Sequence, residues 1–126
     1  MRIHIKKNIL VVDDQPGIRL LLTDILSSEG YQIMTAATGK EALDKIYSNT
    51  FDLIILDYNI PIIDGEKLLE TIEKENVGVA TIVISGLVEK IMDDVKQSKL
   101  VKGVIAKPFN ISDFCAQVNA ILLEND

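Results

Sequence analysis

Leu53-Ile54-Ile55-Leu56-Asp57 is a run of four apolar residues closed by a carboxylate. With Phe51 before it, Asp52 to Leu56 reads as the central strand, its four apolar residues covered on both faces, the pattern found in the middle of a parallel sheet. Tyr58-Asn59-Ile60-Pro61 follows, and the proline bars a simple continuation of strand or helix. Asp57 is therefore expected at the carboxyl edge of a central strand, the edge at which open α/β sheets bind their ligands. Taken alone, such an aspartate is as well explained by a turn or a cap. The other strand ends change that weighting.

Outward from this stretch the same pattern recurs. Asn8 to Val12 is a short apolar run ending in Asp13-Asp14. Ala80 to Ile84 ends in Ser85-Gly86, and Gly103 to Ala106 ends in Lys107-Pro108. Tyr31 to Thr35 alternates weakly and reads as an edge strand. Between the strands, Ile18, Leu21, Leu22, Ile25 and Leu26 recur at helical spacing, with Pro16 suited to the helix start and Gly30 to its end. Thr38-Gly39-Lys40-Glu41 has the capping-box form and opens a second helix through Ala42, Leu43 and Ile46. Asp64 is expected to cap a third helix that buries Leu68, Leu69 and Ile72. Val88, Ile91, Met92 and Val95 mark a fourth. Asn110 is expected to cap a fifth, carrying Ile111, Phe114, Cys115, Val118, Ile121 and Leu122. Five alternations of strand and helix with short connections predict an α/β fold, a doubly wound parallel sheet with helices on both faces. The 126 residues are expected to form one domain, with no output domain after the last helix.

Composition excludes several classes. Hydrophobic residues make up 48% and charged residues 25%, the balance of a globular domain rather than a disordered one. A net charge of -6 argues against nucleic acid as a partner, which would require a basic face. No apolar run has the length of a membrane span, and only Asn8 to Val12 follows Lys6-Lys7, too short for a signal peptide. Cys115 is the one cysteine, which rules out an internal disulfide and suits a reducing, cytoplasmic setting. The lone His4 reads as a solvated tail residue.

The strand ends deliver Asp13 and Asp14, Asp57, Ser85 and Lys107 to one edge. If the first and third strands are neighbours, three carboxylates crowd one crevice, a cluster that needs protons or a cation to neutralise it. Carboxylates, a carbonyl and water suit a hard cation, Mg²⁺ first and Mn²⁺ as a substitute. A hydroxyl and an ammonium opposite them suit an incoming phosphoryl group. An ionised aspartate can itself attack phosphorus to give an acyl phosphate, so no histidine base is required. Each residue also has a plainer reading: Asp13 or Asp14 as a cap of the first helix, Ser85 as a turn residue, Lys107 as a solvated surface lysine. Chance placement of all of them at the ends of four apolar strands is much harder to accept.

Asp13-Asp14, Asp57, Ser85 and Lys107-Pro108-Phe109 resemble the receiver domain of two-component response regulators, over about Lys7 to Leu123. The resemblance implies a strand order of 2-1-3-4-5 and phosphorylation of Asp57 by a sensor histidine kinase. It implies Mg²⁺ on Asp14, Asp57 and the backbone carbonyl of Asn59, with Asp13 acting through water. Ser85 and Lys107 would contact the phosphoryl oxygens, and the Lys107-Pro108 bond would be cis. Val11 to Arg19 and Glu29-Gly30-Tyr31-Gln32 resemble, more narrowly, the stand-alone receivers of sporulation phosphorelays. These pass the phosphoryl group to a helical-bundle histidine phosphotransferase, and an aspartyl-phosphate phosphatase is a further expected partner. On that reading the protein is a monomeric phosphotransferase acting through its own Asp57. The expected docking face comprises Gln15, Pro16, Gly17, Ile18, Leu21, Pro108 and Phe109, with Leu20 an exposed addition; Ile18 and Leu21 equally fit a purely core role. Val104 stands where the family often has an aromatic switch residue, and Gly86 where alanine is usual.

Other functions fit less well. A receiver fold that signals without phosphorylation has no need of the acid pair, nucleophile, hydroxyl and lysine together. A flavin carrier of the same sheet order would meet its phosphate with Asp13-Asp14, which repel it. An aspartyl phosphatase would carry a second acid two residues after the nucleophile, where Asn59 stands. A stand-alone receiver that signals by phosphorylation-dependent protein binding in another two-component pathway is the nearest alternative.

Overall fold

A computed structural model describes residues 6–59, 65–74 and 78–123. His4, Ile60, Pro61 and Asp64, and with them the expected cap of the third helix, lie outside the described residues. The elements run β1 (Asn8–Val12), α1 (Pro16–Ser28), β2 (Gln32–Ala36), α2 (Gly39–Ser48), β3 (Leu53–Asp57), α3 (Gly65–Lys74), β4 (Ala80–Ser85), α4 (Val88–Lys96), β5 (Val101–Ala106) and α5 (Ile111–Leu123). The strands form one parallel sheet in the order β2-β1-β3-β4-β5.

Strand alternation sorts the core into layers. Ile9, Val11, Leu53, Ile55, Ile82, Ile84 and Ile105 face Leu22 and Leu26 of α1 and Phe114, Val118 and Leu122 of α5. Leu10, Val12, Ile54 and Leu56 face Ala42 and Ile46 of α2 and Leu68 and Ile72 of α3. Val83 meets Ile91 and Val95 of α4, and Val104 packs there as an ordinary apolar residue. Each buried Ile or Leu side chain contributes roughly 1.5–3 kcal/mol. All five residues of β3 are buried, as the run Leu53 to Leu56 implies.

Three strand starts differ from the sequence expectation, the mildest being β3, which begins at Leu53 rather than Asp52. β2 begins at Gln32 rather than Tyr31, because the Tyr31 N–H is still bonded to the Leu26 carbonyl of α1, at 3.2 Å, and the ladder with β1 starts one residue later. β5 begins at Val101, before the expected Gly103. Val101 pairs with Thr81 and Gly103 with Ile82, so Lys102 is the extra residue of a bulge. A charged residue inside the strand hides its start from an apolar-run reading.

The start of α2 shows local chemistry at work. The Thr38 hydroxyl accepts from the Glu41 N–H at 3.1 Å, as a capping box requires. The Glu41 carboxylate reaches one residue further back than expected and accepts from the Ala37 N–H at 3.0 Å. That bond, with Lys45 at 3.2 Å, holds the Glu41 carboxyl below the usual glutamate range. Thr38→Ala is expected to cost about 1 kcal/mol in urea unfolding at neutral pH. Because Glu41 titrates lower in the folded state, its contribution is complete above the ordinary glutamate range. It disappears as pH falls through the folded-state value. Glu41→Gln should flatten that part of the acid unfolding profile; an unchanged profile would contradict the assignment.

Candidate functional site

The carboxyl edge of the sheet gathers the charged residues by simple counting. Val11, Ile55 and Ile105 all face the α1/α5 layer. Two residues further along the same chains stand Asp13, Asp57 and Lys107, and their side chains meet. Lys107 Nζ lies 3.3 Å from Asp57 Oδ2 and 3.4 Å from Asp13 Oδ2. Asp13 and Asp57 are buried, at 1% and 5% exposure, whereas Asp14 is exposed. One carboxylate oxygen from each of Asp13, Asp14 and Asp57 falls within 4.8 Å of the others. Lys107 is thus an ion-paired residue of the crevice, and the solvated surface reading is wrong for it.

Three strand ends close with one and the same turn. Asp13 Oδ1 accepts from the Gln15 N–H at 2.9 Å. Asp57 Oδ1 accepts from the Asn59 N–H at 3.1 Å. Ser85 Oγ accepts from the Leu87 N–H at 3.0 Å. A short polar side chain that takes the amide two residues on reverses the chain without further help. The turn reading of Ser85 is therefore real, and its hydroxyl, fully buried, keeps capacity for a second hydrogen bond. Neither Asp13 nor Asp14 is the cap of α1. That position belongs to Gln15, and Pro16 starts the helix. The Lys107-Pro108 peptide bond is cis.

Burial raises the tendency of Asp13 to hold a proton, and the nearby Asp57 charge adds to it; the Gln15 N–H and Lys107 only partly offset this. The ionised form of Asp13 thus lowers folded-state stability at neutral pH, by linkage. Asp13→Asn keeps an acceptor for the Gln15 N–H and removes the charge. In cation-free buffer it should melt above wild type, and it should bind divalent cation more weakly. A lower melting temperature would show that Asp13 stabilises the fold instead.

The docking residues divide. Gln15, Pro16, Gly17 and Pro108 are exposed, and Leu20 and Leu21 expose 65% and 38% of their surface. Ile18 and Phe109 are half-buried against the α1/α5 layer, with the Phe109 ring 5.3 Å from that of Phe114. Sequence reading passed over Arg19, whose guanidinium donates to the Asp13 carbonyl oxygen at 2.8 Å. Its place one turn after Gln15 was the available clue, since long helical side chains lean toward the helix N-terminus.

A doubly wound sheet in this order, with acids at the ends of β1 and β3 and a lysine after β5, is the architecture of a receiver domain. The chain belongs to the response regulator receiver domain family, whose model matches residues 9–119. It is 37% identical to sporulation initiation phosphotransferase F of Bacillus subtilis over 109 residues, 85% of this chain and 86% of that one. It is 33% identical to the alkaline phosphatase synthesis transcriptional regulatory protein PhoP of the same organism, over 95% of this chain but 50% of the relative. Among solved structures it superimposes on the response regulator TrrA of Thermotoga maritima, determined in complex with Mg²⁺-BeF, with a TM-score of 0.81. That pair is 37% identical over 92% of this chain and 99% of the other. No described helix is long and apolar enough to cross a membrane.

Proposed function

We propose that this chain is a phosphorelay intermediate of the cytoplasm, a single receiver domain that takes a phosphoryl group from a histidine kinase onto Asp57. It then passes the group to a histidine on a helical-bundle phosphotransferase, in a sporulation-type relay. The observation that carries this reading is the crevice itself. A buried carboxylate stands beside two further acids and 3.3 Å from a lysine ammonium.

Asp57 is the nucleophile; Oδ2 or Oδ1 forms the new P–O bond while the kinase imidazole leaves. Three hard oxygen donors within 4.8 Å fit a divalent cation in kind and spacing. Asp13, Asp14 and Asp57 would hold Mg²⁺ or Mn²⁺ together with the Asn59 carbonyl, and the ion would neutralise phosphoryl charge. Lys107 leaves its carboxylate partners to pair with a phosphoryl oxygen, and the Ser85 hydroxyl donates to another. The start of α1 and the residues after β5, from Gln15 to Ile18 with Leu21, Pro108 and Phe109, rim the crevice. A partner histidine must approach across them to lie in line with the phosphorus. The similarity to the longer PhoP, a transcriptional regulatory protein, favours a second reading in which the phosphoryl group is not passed on and the receiver instead signals by binding another protein.

The decisive experiment mixes the protein with a small phosphodonor and Mg²⁺ and maps the modified residue by mass spectrometry. Adding a histidine phosphotransferase afterwards separates the two readings: in a relay the label moves to histidine. In the alternative the label leaves only as inorganic phosphate.

A further inference from the structure

Arg19 is used by none of the chemistry above, yet its head group bonds the backbone of a crevice residue, Asp13. It sits one turn into α1, where its own N–H donates to the Gln15 carbonyl at 3.1 Å. From there the guanidinium reaches back and donates to the Asp13 carbonyl oxygen at 2.8 Å. It forms no ion pair with a crevice carboxylate among the described residues; that role belongs to Lys107. Its charge instead falls also on Glu41, which is bonded to the Ala37 N–H at the start of α2.

The carbonyl that Arg19 holds belongs to the peptide joining Asp13 to Asp14. On the other side of the same residue, the Asp13 N–H donates to the Ala36 carbonyl at the end of β2, at 3.0 Å. Asp13 is therefore gripped at its amide, at its carbonyl and, through Gln15, at its carboxylate. For Asp14 no comparable grip exists among the described residues. The orientation of the Asp13-Asp14 peptide decides where its exposed carboxylate points. We propose that Arg19 is a positioning residue for the cation site: by fixing that peptide plane it sets the Asp14 carboxylate against Asp13 and Asp57.

This inference rests on reading the three aspartates as a cation site, and it makes a prediction whose sign is unusual. A cation removed from beside an acidic cluster should, by Coulomb attraction alone, let a divalent ion bind more tightly. A positioning role gives the opposite result, because outer residues that orient metal ligands typically contribute ten- to a hundredfold in affinity. The test is calorimetric titration of the full chain with Mg²⁺, repeated with Mn²⁺ by electron paramagnetic resonance. Arg19→Met keeps the side-chain stem and removes both donor and charge. It should bind either ion roughly tenfold more weakly than the wild type. Arg19→Lys, which restores a donor and the charge, should recover most of that loss. Wild-type or tighter binding by Arg19→Met overturns the proposal. If Arg19→Met does not fold, Arg19→Gln carries the same test of sign, weaker binding supporting the proposal and equal or tighter binding overturning it. Failure of the wild type to bind either ion would instead remove the cation site itself, so the two failures are distinguishable.

Discussion

Asp57→Asn protein, mixed with a small phosphodonor and Mg²⁺, should gain no phosphoryl mass, while the wild type should gain one group on Asp57. The expected loss in rate is on the order of 10⁴-fold or more, the scale seen when a covalent nucleophile is removed. Asparagine keeps an oxygen for the Asn59 N–H, so the turn after β3 survives and the loss is chemical rather than structural. Circular dichroism and the urea midpoint should stay close to wild type. Wild-type protein in excess chelator should also stay unlabelled, because three acids in one crevice repel the donor's phosphate unless a cation intervenes. Equal labelling of Asp57→Asn, or labelling that maps to another side chain, would refute the assignment of the nucleophile.

Lys107→Ala should slow phosphoryl uptake about a hundredfold, roughly 3 kcal/mol of lost charge stabilisation. The same variant should bind Mg²⁺ more tightly, because the ammonium competes for Asp13 and Asp57, 3.4 and 3.3 Å away. Affinity and rate moving in opposite directions distinguishes this lysine from one that merely supports the fold. Burial alone would make the Lys107 ammonium easier to deprotonate, but the attraction of Asp57 and Asp13 prevails and raises its pKa. Its contribution to stability is therefore complete below the ordinary lysine range and is lost only as pH rises through the raised value. Without cation, Lys107→Ala leaves two buried carboxylates unpaired, so it should melt below wild type and regain much of the difference when Mg²⁺ is added. Rates within twofold of wild type, or weaker cation binding, would count against a phosphoryl-binding role for Lys107.

The sheet was readable because its inner strands are unbroken apolar runs and its helices keep their spacing. Leu53 to Leu56 needed no context to be placed at the centre, and Leu68, Leu69 and Ile72 are buried as the α3 pattern implies. The convergence of Asp13, Asp57 and Lys107 was also accessible, since each stands at or just past a strand end. What escaped was whatever depends on one atom reaching another. Glu41 takes the Ala37 amide in place of Thr38, Lys102 bulges within β5, and Arg19 bonds a carbonyl rather than a carboxylate. Ile18 stood open between core and surface, and the structure makes it partly both. Sequence spacing reports which side of an element a residue occupies; it carries little about where a long side chain ends.

Asp13, Asp57 and Ser85 share a turn in which a side-chain oxygen takes the amide two residues on. Aspartate, asparagine, serine and threonine can all make that bond. The backbone at these three places therefore does not discriminate between a carboxylate and a neutral polar group. Exchange among the four residue types alters charge and nucleophilicity while leaving the path of the chain alone. The scaffold and its reactivity are in this sense separately mutable. A lineage could lose the phosphoryl chemistry, or regain it, through single substitutions at a strand end without first having to repair a loop.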